Sequence, residues 1–96
     1  MHLISIRRSN KKGKKFTAVF KEDNTGNIKK VHFGAAGYED YTIHKDKDRR
    51  ARYWARHKKD NLLDATSPGA LSAIILWGPS TSIEKNIATF RNIYSV

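Results

Sequence analysis

Residues 16–33 read FTAVFKEDNTGNIKKVHF, in which two short apolar segments flank a run of turn-forming residues. Within each segment the apolar residues recur at every second position and so share one face: Phe16, Ala18 and Phe20 in the first, Val31 and Phe33 in the second. A period of two is that of a β-strand with one buried face. Because the Asp, Asn and Gly between the segments favour a tight turn, the stretch predicts an antiparallel β-hairpin.

Further strand-like segments lie on both sides of this hairpin. Residues 3–6, which read LISI, are a short strand candidate before it. Residues 38–43 are a candidate after it, because Tyr41 and Ile43 alternate there with polar neighbours. The sequence therefore predicts a small antiparallel sheet of three to four strands.

The second half of the chain carries the signals of helices. Asp46 is a suitable N-cap for a helix that runs to about Lys59, with an acidic residue in its first turn and basic residues in its last. The pair Ser67-Pro68 starts another helix and Gly78-Pro79 ends it. Between these two pairs the sequence has an apolar stripe: Leu71, Ile74 and Ile75.

A last helix is predicted near the end of the chain. The sequence TSIE at residues 81–84 fits the capping-box pattern. After it the apolar residues recur at helical spacing: Ile83, Ile87, Phe90 and Tyr94. We therefore predict an α+β fold, a small antiparallel sheet packed against two or three C-terminal helices.

Composition narrows the class of protein. A chain of 96 residues fits one domain, so we expect a single basic α+β domain over residues 1–96. The absence of cysteine excludes disulfide scaffolds and thiol nucleophiles. The longest apolar run, residues 73–77, is too short to span a bilayer, and the N-terminus does not fit a secretory signal. We therefore expect a soluble intracellular protein.

Charge is concentrated in one part of the chain. The net charge is +10, and residues 1–60 contain 17 Lys and Arg against 7 Asp and Glu. In residues 61–96 the charged residues cancel. A positive field of this kind attracts polyanions such as nucleic acid or anionic lipid, although basic charge also serves solubility alone.

One predicted helix face is basic. At 100° per residue, four cationic side chains fall within about 80° of one another, and we call them the arginine stripe: Arg49, Arg52, Arg56 and Lys59. We expect the opposite side of this helix to face the sheet, through Ala51, Trp54 and Ala55. Since the planar guanidinium group suits bidentate contact with phosphate, we interpret the stripe as phosphate-binding rather than merely solvated.

A second basic element is the N-terminal basic segment, residues 7–15, which reads RRSNKKGKK. Six cations without an acidic residue repel one another unless a polyanion neutralises them. We interpret the segment as a flexible arm that lies along a nucleic-acid backbone or groove. An exposed loop without a partner and a nuclear localisation signal are the alternatives.

The central sequence resembles a family of small basic proteins encoded by large double-stranded DNA viruses of eukaryotes. The similarity covers roughly residues 14–79 and rests on these strings: KFTAVF (15–20), KKVHFGAAGYEDYTIHKD (29–46), RRARY (49–53), ARH (55–57), SPGALS (67–72) and ILW (75–77). The resemblance implies a viral origin and a setting rich in DNA. It supplies neither a mechanism nor catalytic residues.

Two other motifs have mainly structural interpretations. The sequence FGAAGY at residues 33–38 allows close approach to a phosphate, but it lacks the ending of a P-loop and is more typical of a turn. A cluster of acidic and histidine side chains resembles metal-binding residues without matching a nuclease motif: Glu39, Asp40, His44, Asp46, Asp48 and His57. We expect Trp54 and Trp77 to pack in the interior rather than to stack on bases.

From the sequence we predict a protein that binds nucleic acid without reading its sequence, with double-stranded DNA favoured over RNA. Packaging of a viral genome, or association with a nucleoid, suits such binding. The predicted contacts are the following: Arg7, Arg8, Lys11, Lys12, Lys14, Lys15, Arg49, Arg52, Arg56 and Lys59. We predict no catalytic residue, metal or cofactor. If six to eight of these cations meet phosphates, the log–log salt slope on duplex DNA is roughly −5 to −7.

Two other functions remain open at this point. One is a structural protein of the virion that contacts other proteins or a membrane. The other is a metal-dependent nuclease using His44 and Asp46. The expected location is the virion or the cytoplasm or nucleus of the host cell, and a homodimer could form through apolar residues near the C-terminus: Ile93, Tyr94 and Val96.

Overall fold

The computed structural model describes residues 1–57 and 62–96. Its N-terminal half forms three strands: β1, His2–Arg8; β2, Lys14–Lys21; and β3, Ile28–Ala35. They form one antiparallel sheet in the order β1-β2-β3. The hairpin predicted from residues 16–33 is β2-β3, in which Phe16 lies opposite Phe33 and Ala18 opposite Val31.

The helices follow the sheet in the chain. Their bounds are α1, Tyr41–His44; α2, Lys47–Arg56; α3, Pro68–Leu71; and α4, Ile83–Tyr94. A π-helical segment, Ser72–Leu76, continues directly from α3. A three-stranded antiparallel sheet followed by several helices confirms the predicted α+β fold.

The N-caps predicted for α2 and α3 are confirmed. The Asp46 carboxylate accepts from the N–H groups of Asp48 and Arg49, and Ser67 accepts from Ala70. The cap of α4 is Ser82, whose hydroxyl accepts from the N–H of Lys85, one residue later than the capping-box pattern places it. The helix capped by Asp46 was predicted to run to about Lys59, and that position lies outside the described residues.

The fourth strand predicted at residues 38–43 is wrong, because residues 41–44 form the single-turn helix α1. The Asp40 carboxylate accepts hydrogen bonds from both the backbone N–H and the hydroxyl of Thr42. Lys45, in the left-handed conformation, ends the turn by donating its N–H to the carbonyl of Tyr41. Local capping therefore prevailed over the alternation of Tyr41 and Ile43.

The single helix predicted between Ser67 and Gly78 changes its hydrogen-bonding pattern after one turn. At its end the N–H of Trp77 donates to the carbonyl of Ser72, five residues earlier, at 3.1 Å. Because the segment ends at Leu76, the carbonyl of Ile75 lacks a partner within the helix and accepts from a side chain on α4. The π-helical segment therefore makes a specific contact with α4.

The core lies between one face of the sheet and the C-terminal helices. Its fully buried members come from both: Leu3, Ala18, Phe20 and Phe33 from the strands, and Ala70, Leu71, Ile75 and Phe90 from the helices. Most of these residues are those that the strand and helix periodicities predicted. Near the C-terminus, the hydroxyl of Tyr94 donates to the carbonyl of Leu62 at 2.7 Å. Tyr94 therefore points inward, whereas Ile93 is exposed.

The side of α2 that packs inward differs from the predicted one. Ala51 and Ala55 are exposed, whereas Tyr53 is buried. The indole N–H of Trp54 donates to the carbonyl of Trp77 at 2.8 Å, and the Arg50 guanidinium donates to the carbonyl of Gly78, also at 2.8 Å. Aromatic rings and one arginine therefore dock this helix, and the small alanines do not.

Asn86 is a buried polar residue on the apolar face of α4, and its side chain is 0% exposed. Its amide donates to the carbonyls of Ile75, at 2.9 Å, and Ser80, at 2.7 Å. Its oxygen accepts from the N–H of Ser80 at 3.0 Å. The side chain therefore satisfies three backbone groups of the connection between the π-helical segment and α4.

We expect Asn86→Ala to lower the free energy of unfolding by about 2–3 kcal/mol, because it leaves these buried backbone groups without partners. Urea denaturation followed by circular dichroism measures the change. Asn92→Ala, at an exposed position of the same helix, is the matched control and should change stability by less than about 0.5 kcal/mol. Equal stability of the two variants would contradict the assigned role.

Candidate nucleic-acid interface

A cleft of about 600 Å³ opens between α2, the start of β2 and the π-helical segment. We call it the first cleft, and its cationic lining residues come from two distant parts of the sequence: Lys14, Lys15, Arg49, Arg52 and Arg56. Among the described residues that line it, Glu39 and Asp40 are the acidic ones. The fold thus brings the three arginines of the arginine stripe next to one end of the N-terminal basic segment. Lys59 lies outside the described residues.

Helix geometry explains why the arginines line this cleft. Arg49 and Tyr53 are four residues apart and therefore lie on the same side of α2, about 6 Å apart along its axis. Arg56 follows Tyr53 by three residues and shares that side as well. Tyr53 is the buried residue through which α2 packs against the rest of the molecule. The arginines therefore lie beside the packed face of α2 and line the adjacent first cleft.

Stacked aromatic rings form the inner wall of the first cleft. The rings of Tyr53 and Trp77 are parallel, with their centroids 4.3 Å apart and an interplanar angle of 2°. His57 stacks on the other side of Tyr53 at 4.1 Å. The Arg50 guanidinium lies 5.7 Å from the Tyr41 ring and 5.9 Å from that of Trp54. The contacts of Tyr53 with Trp77 and of Arg50 with Tyr41 fix α2, and hence its arginines, against the rest of the molecule.

The cations of the first cleft differ in how they are paired. Arg49 lies 3.6 Å from the carboxylate of Glu39, an exposed ion pair that is worth little. Within the part of the chain that the structure describes, Arg52 and Arg56 form no ion pair with an acidic side chain. Two guanidinium groups are therefore available to an external anion.

Asp46, at the start of α2, is a carboxyl group whose charged form is stabilised by its surroundings. Hydrogen bonds from the backbone N–H groups of Arg49 and Asp48 hold the pKa of the Asp46 carboxyl below its usual value, and the charge of Arg52 acts in the same direction. Asp46 is thus the ionised cap of the helix that carries the arginine stripe. This role accounts for Asp46 without a metal ion.

The N-terminal basic segment is not the loop that its composition predicted. β1 extends to Arg8 and β2 begins at Lys14, so the connection shrinks to residues 9–13. The N–H of Ser9 donates to the carbonyl of Lys15 at 2.9 Å, and the N–H of Lys14 donates to that of Lys11 at 3.1 Å. Residues 7, 8, 14 and 15 of the segment thus belong to strands and backbone hydrogen bonds close the connection, because such bonds form regardless of side-chain charge.

The cations of this segment are distributed over several surfaces. Lys11 and Lys12 are exposed at the turn, and Lys14 lines the first cleft. Arg8 lies beside a different cleft, and Arg7 points to the opposite face of the sheet because strand side chains alternate. The segment predicted as an arm is therefore the end of a hairpin, and its cationic side chains point in more than one direction.

Lys15 has an internal partner. Its ammonium group lies 2.6 Å from the carboxylate of Asp40, and the two side chains are only 15% and 3% exposed. Asp40 also caps α1 through Thr42. Lys15 was predicted as a phosphate contact, but the structure places it in a buried ion pair that ties β2 to α1.

The second cleft has a volume of about 560 Å³ and adjoins the first cleft at the Lys15–Asp40 ion pair. Its described lining combines three cations and two acidic residues with apolar and aromatic side chains: Arg8, Lys14, Lys15, Glu39, Asp40, Phe16, Tyr38, Ile43 and Ile83. Among the described residues, five line both clefts: Lys14, Lys15, Tyr38, Glu39 and Asp40. The two clefts therefore meet at these five residues, of which Lys15 and Asp40 pair with each other.

The acidic and histidine side chains of the sequence cluster do not gather at one point. Asp40 and Asp46 cap two different helices, and Glu39 faces Arg49. His44 accepts a hydrogen bond from the N–H of Asp46 at 2.9 Å. Over residues 1–57 and 62–96, no three histidine or acidic side chains are arranged to hold a metal ion. In the same ranges no helix has the length and apolar character needed to cross a bilayer.

Comparison with protein families gives a match over more than half of the chain. Residues 4–57 match the model of a family of unknown function, DUF5754. Neither the comparison with curated proteins nor that with solved structures gave a match. The matched range contains most of the sheet, α1 and α2, which supply all the cations that line both clefts. Since the match covers more than half of the chain, the protein belongs to the DUF5754 family, whose function is unknown.

Proposed function

We propose that this protein binds nucleic acid through the sugar-phosphate backbone and without reading the base sequence. The observation that supports this proposal most strongly is the convergence of Lys14 with Arg49, Arg52 and Arg56 on one open cleft. Arg8 continues the positive surface into the adjoining second cleft. Guanidinium groups held on a docked helix are well suited to bidentate contact with phosphate oxygens.

The composition of the first cleft favours contact with the backbone over base readout. Bidentate recognition of adenine edges uses the side-chain amides of Asn or Gln, which project into a groove. Among the described residues that line the cleft there is no Asn or Gln. Helix α2 is also held along one side by Tyr53 and Trp77, so it lies on the surface rather than projecting from it. Contacts of this kind position the protein on the nucleic acid and do not depend on the base sequence.

Double-stranded DNA is the proposed main ligand, in the setting of genome packaging or of a nucleoid. This setting is part of the proposal and rests on the resemblance to proteins of large DNA viruses. A small basic protein that neutralises phosphates without sequence preference suits compaction of a genome better than regulation at a defined site.

The proposal predicts a definite salt dependence. Among the described residues, five cations line the two clefts without being buried in an ion pair: Arg8, Lys14, Arg49, Arg52 and Arg56. If each meets one phosphate, the log–log slope of affinity against salt is about −4.5 on duplex DNA. This slope is shallower than that predicted from the sequence, because Lys15 is buried and Arg7 points away. Fluorescence anisotropy on two unrelated duplexes measures it, and both should give the same affinity.

Two double variants with the same net charge test whether the position of the positive charges determines binding. The double variant Arg52→Glu/Arg56→Glu should reduce affinity at about 50 mM salt by 10- to 100-fold and make the slope shallower by about 2. The control Lys21→Glu/Lys85→Glu changes the charge equally at exposed positions outside both clefts, and it should retain most of the affinity. No binding by the wild-type protein, or equal loss in both variants, would refute the proposed interface.

A further inference from the structure

Tyr38 is an exposed aromatic residue at the boundary between the two clefts. Its side chain is 74% exposed, and it lines both clefts together with Lys14. The other aromatic side chains of the first cleft are occupied, because Tyr53 is only 7% exposed and stacks on Trp77. Among the described lining residues of that cleft, Tyr38 is therefore the aromatic ring with a face open to a ligand.

The backbone holds Tyr38 in a defined position. Gly37 precedes it with φ of +86°, a conformation that turns the chain sharply after β3. The N–H of Tyr38 donates to the carbonyl of Ala35 at 3.4 Å, which closes this turn. The N–H of Ala36 donates to the carbonyl of Gly13 at 3.0 Å, which ties the turn to the β1-β2 connection. The exposed ring of Tyr38 is therefore carried by a turn that backbone hydrogen bonds hold in place, and not by a flexible tail.

Cations lie on both sides of this ring. On one side are the three arginines of the stripe, and on the other is Arg8. At the boundary itself, Lys14 lies beside the Lys15–Asp40 ion pair and Glu39, which faces Arg49. A strand that crosses the boundary would thus meet positive charge before and after it passes Tyr38. The combination of an exposed aromatic ring with flanking cations favours a polyanion that also carries flat aromatic groups.

We propose that this boundary binds single-stranded nucleic acid, with one base stacked on the ring of Tyr38 and the neighbouring phosphates on Lys14 and the arginines. This inference rests on the proposed backbone binding and adds a ligand class to it. The bases of an intact duplex are paired and stacked inside the helix, so they cannot reach the ring. Because every base presents a π-face, the added contact raises the affinity for unpaired strands without sequence preference.

The experiment compares the wild-type protein with Tyr38→Ala and Tyr38→Phe by fluorescence anisotropy, on a 20-nucleotide oligothymidine and on a 20-base-pair duplex. Since stacking on an aromatic side chain typically contributes about 1–3 kcal/mol per base, Tyr38→Ala should weaken binding of the single strand by about 5- to 100-fold. Tyr38→Phe retains the ring and should bind like the wild type. Duplex affinity should change less than about twofold in either variant.

An abasic strand of the same length separates the base from the phosphates. The wild-type protein should bind it about as weakly as Tyr38→Ala binds oligothymidine, and the substitution should have no effect on it. If Tyr38→Ala binds oligothymidine as well as the wild type does, or weakens both ligands equally, the stacking contact is refuted while backbone binding stands. If the wild type binds neither oligothymidine nor duplex, the proposed function itself fails.

Discussion

A Gly78→Ala substitution should lower the free energy of unfolding by about 3–5 kcal/mol, one of the two largest effects that we expect. Gly78 follows the π-helical segment and is buried. A Cβ atom at this position would lie 2.0 Å from the carbonyl oxygen of Ile74 and 2.8 Å from Cγ of Asn86. Neither group can yield easily, since one is backbone and the other is held by its own hydrogen bonds.

The consequences of this clash extend beyond one side chain. The carbonyl of Gly78 accepts from Arg50, so a shift of this backbone also disturbs the docking of α2. A domain of this size has a total stability of only about 5–15 kcal/mol, and the variant therefore loses a large part of it.

Thermal and urea denaturation measure the effect of Gly78→Ala, with Gly13→Ala as the control. Gly13 has φ of +84°, but a Cβ atom added there would meet no atom within 4 Å, so its substitution adds conformational strain without a clash. We expect the control to lose about 1–2 kcal/mol. If Gly78→Ala proves no more destabilising than Gly13→Ala, the close approach at the end of the π-helical segment is not as described.

The second large effect concerns the buried ion pair of Lys15 and Asp40. Asp40→Ala should lower the free energy of unfolding by about 3–5 kcal/mol, because it leaves a largely buried ammonium group without its partner. The same substitution removes the cap of α1, where the carboxylate accepts from Thr42. Asp40→Asn retains an oxygen for the cap and should therefore lose less stability than Asp40→Ala.

The neighbouring lysines allow stability and binding to be separated. Lys15→Met should destabilise the protein by about 2–3 kcal/mol, and its effect should be non-additive with that of Asp40→Asn in a double-mutant cycle. Lys14→Met, at an exposed position, should leave stability unchanged within about 0.5 kcal/mol and weaken DNA binding instead. If Lys15→Met behaves like Lys14→Met in both measurements, Lys15 is a binding residue after all.

These two lysines show where sequence reasoning stops. Lys14 and Lys15 are adjacent and chemically identical, and both were predicted as phosphate contacts. Their difference depends on Asp40, which is 25 residues further along the chain than Lys15. No local pattern pairs these residues, because the pairing needs the sheet and α1 to be in place first.

Strands and helix ends were the most predictable features. The β2-β3 hairpin followed from the alternation of Phe16, Ala18 and Phe20, since a one-residue shift in register would expose that whole face. The caps Asp46 and Ser67 were predictable because capping uses side chains within three residues of the N–H groups that they satisfy. The strand expected at residues 38–43 failed for the same reason, because Asp40 caps a helical turn there.

The candidate interface was predictable only in part. The spacing of Arg49, Arg52 and Arg56 placed them on one side of a helix, and the structure has them there. Which side of α2 docks depended on Tyr53 stacking on Trp77, a contact between residues 24 positions apart. The sequence indicated Trp54 together with two alanines, and of these Trp54 takes part in docking. Tyr38 was noted only as the end of a glycine-containing turn, since exposure of a ring is not encoded in local periodicity.

The sequence by itself determined the α+β class, the strand pattern, the helix starts and the concentration of positive charge in residues 1–60, because each depends on neighbouring residues or on composition. The tertiary structure alone decided that Lys15 is buried with Asp40, that Asn86 satisfies the backbone of another segment, and that Lys14 meets the arginines of α2 across a cleft. These are contacts between residues distant in sequence, and their energy depends on burial and distance, which exist only once the chain has folded.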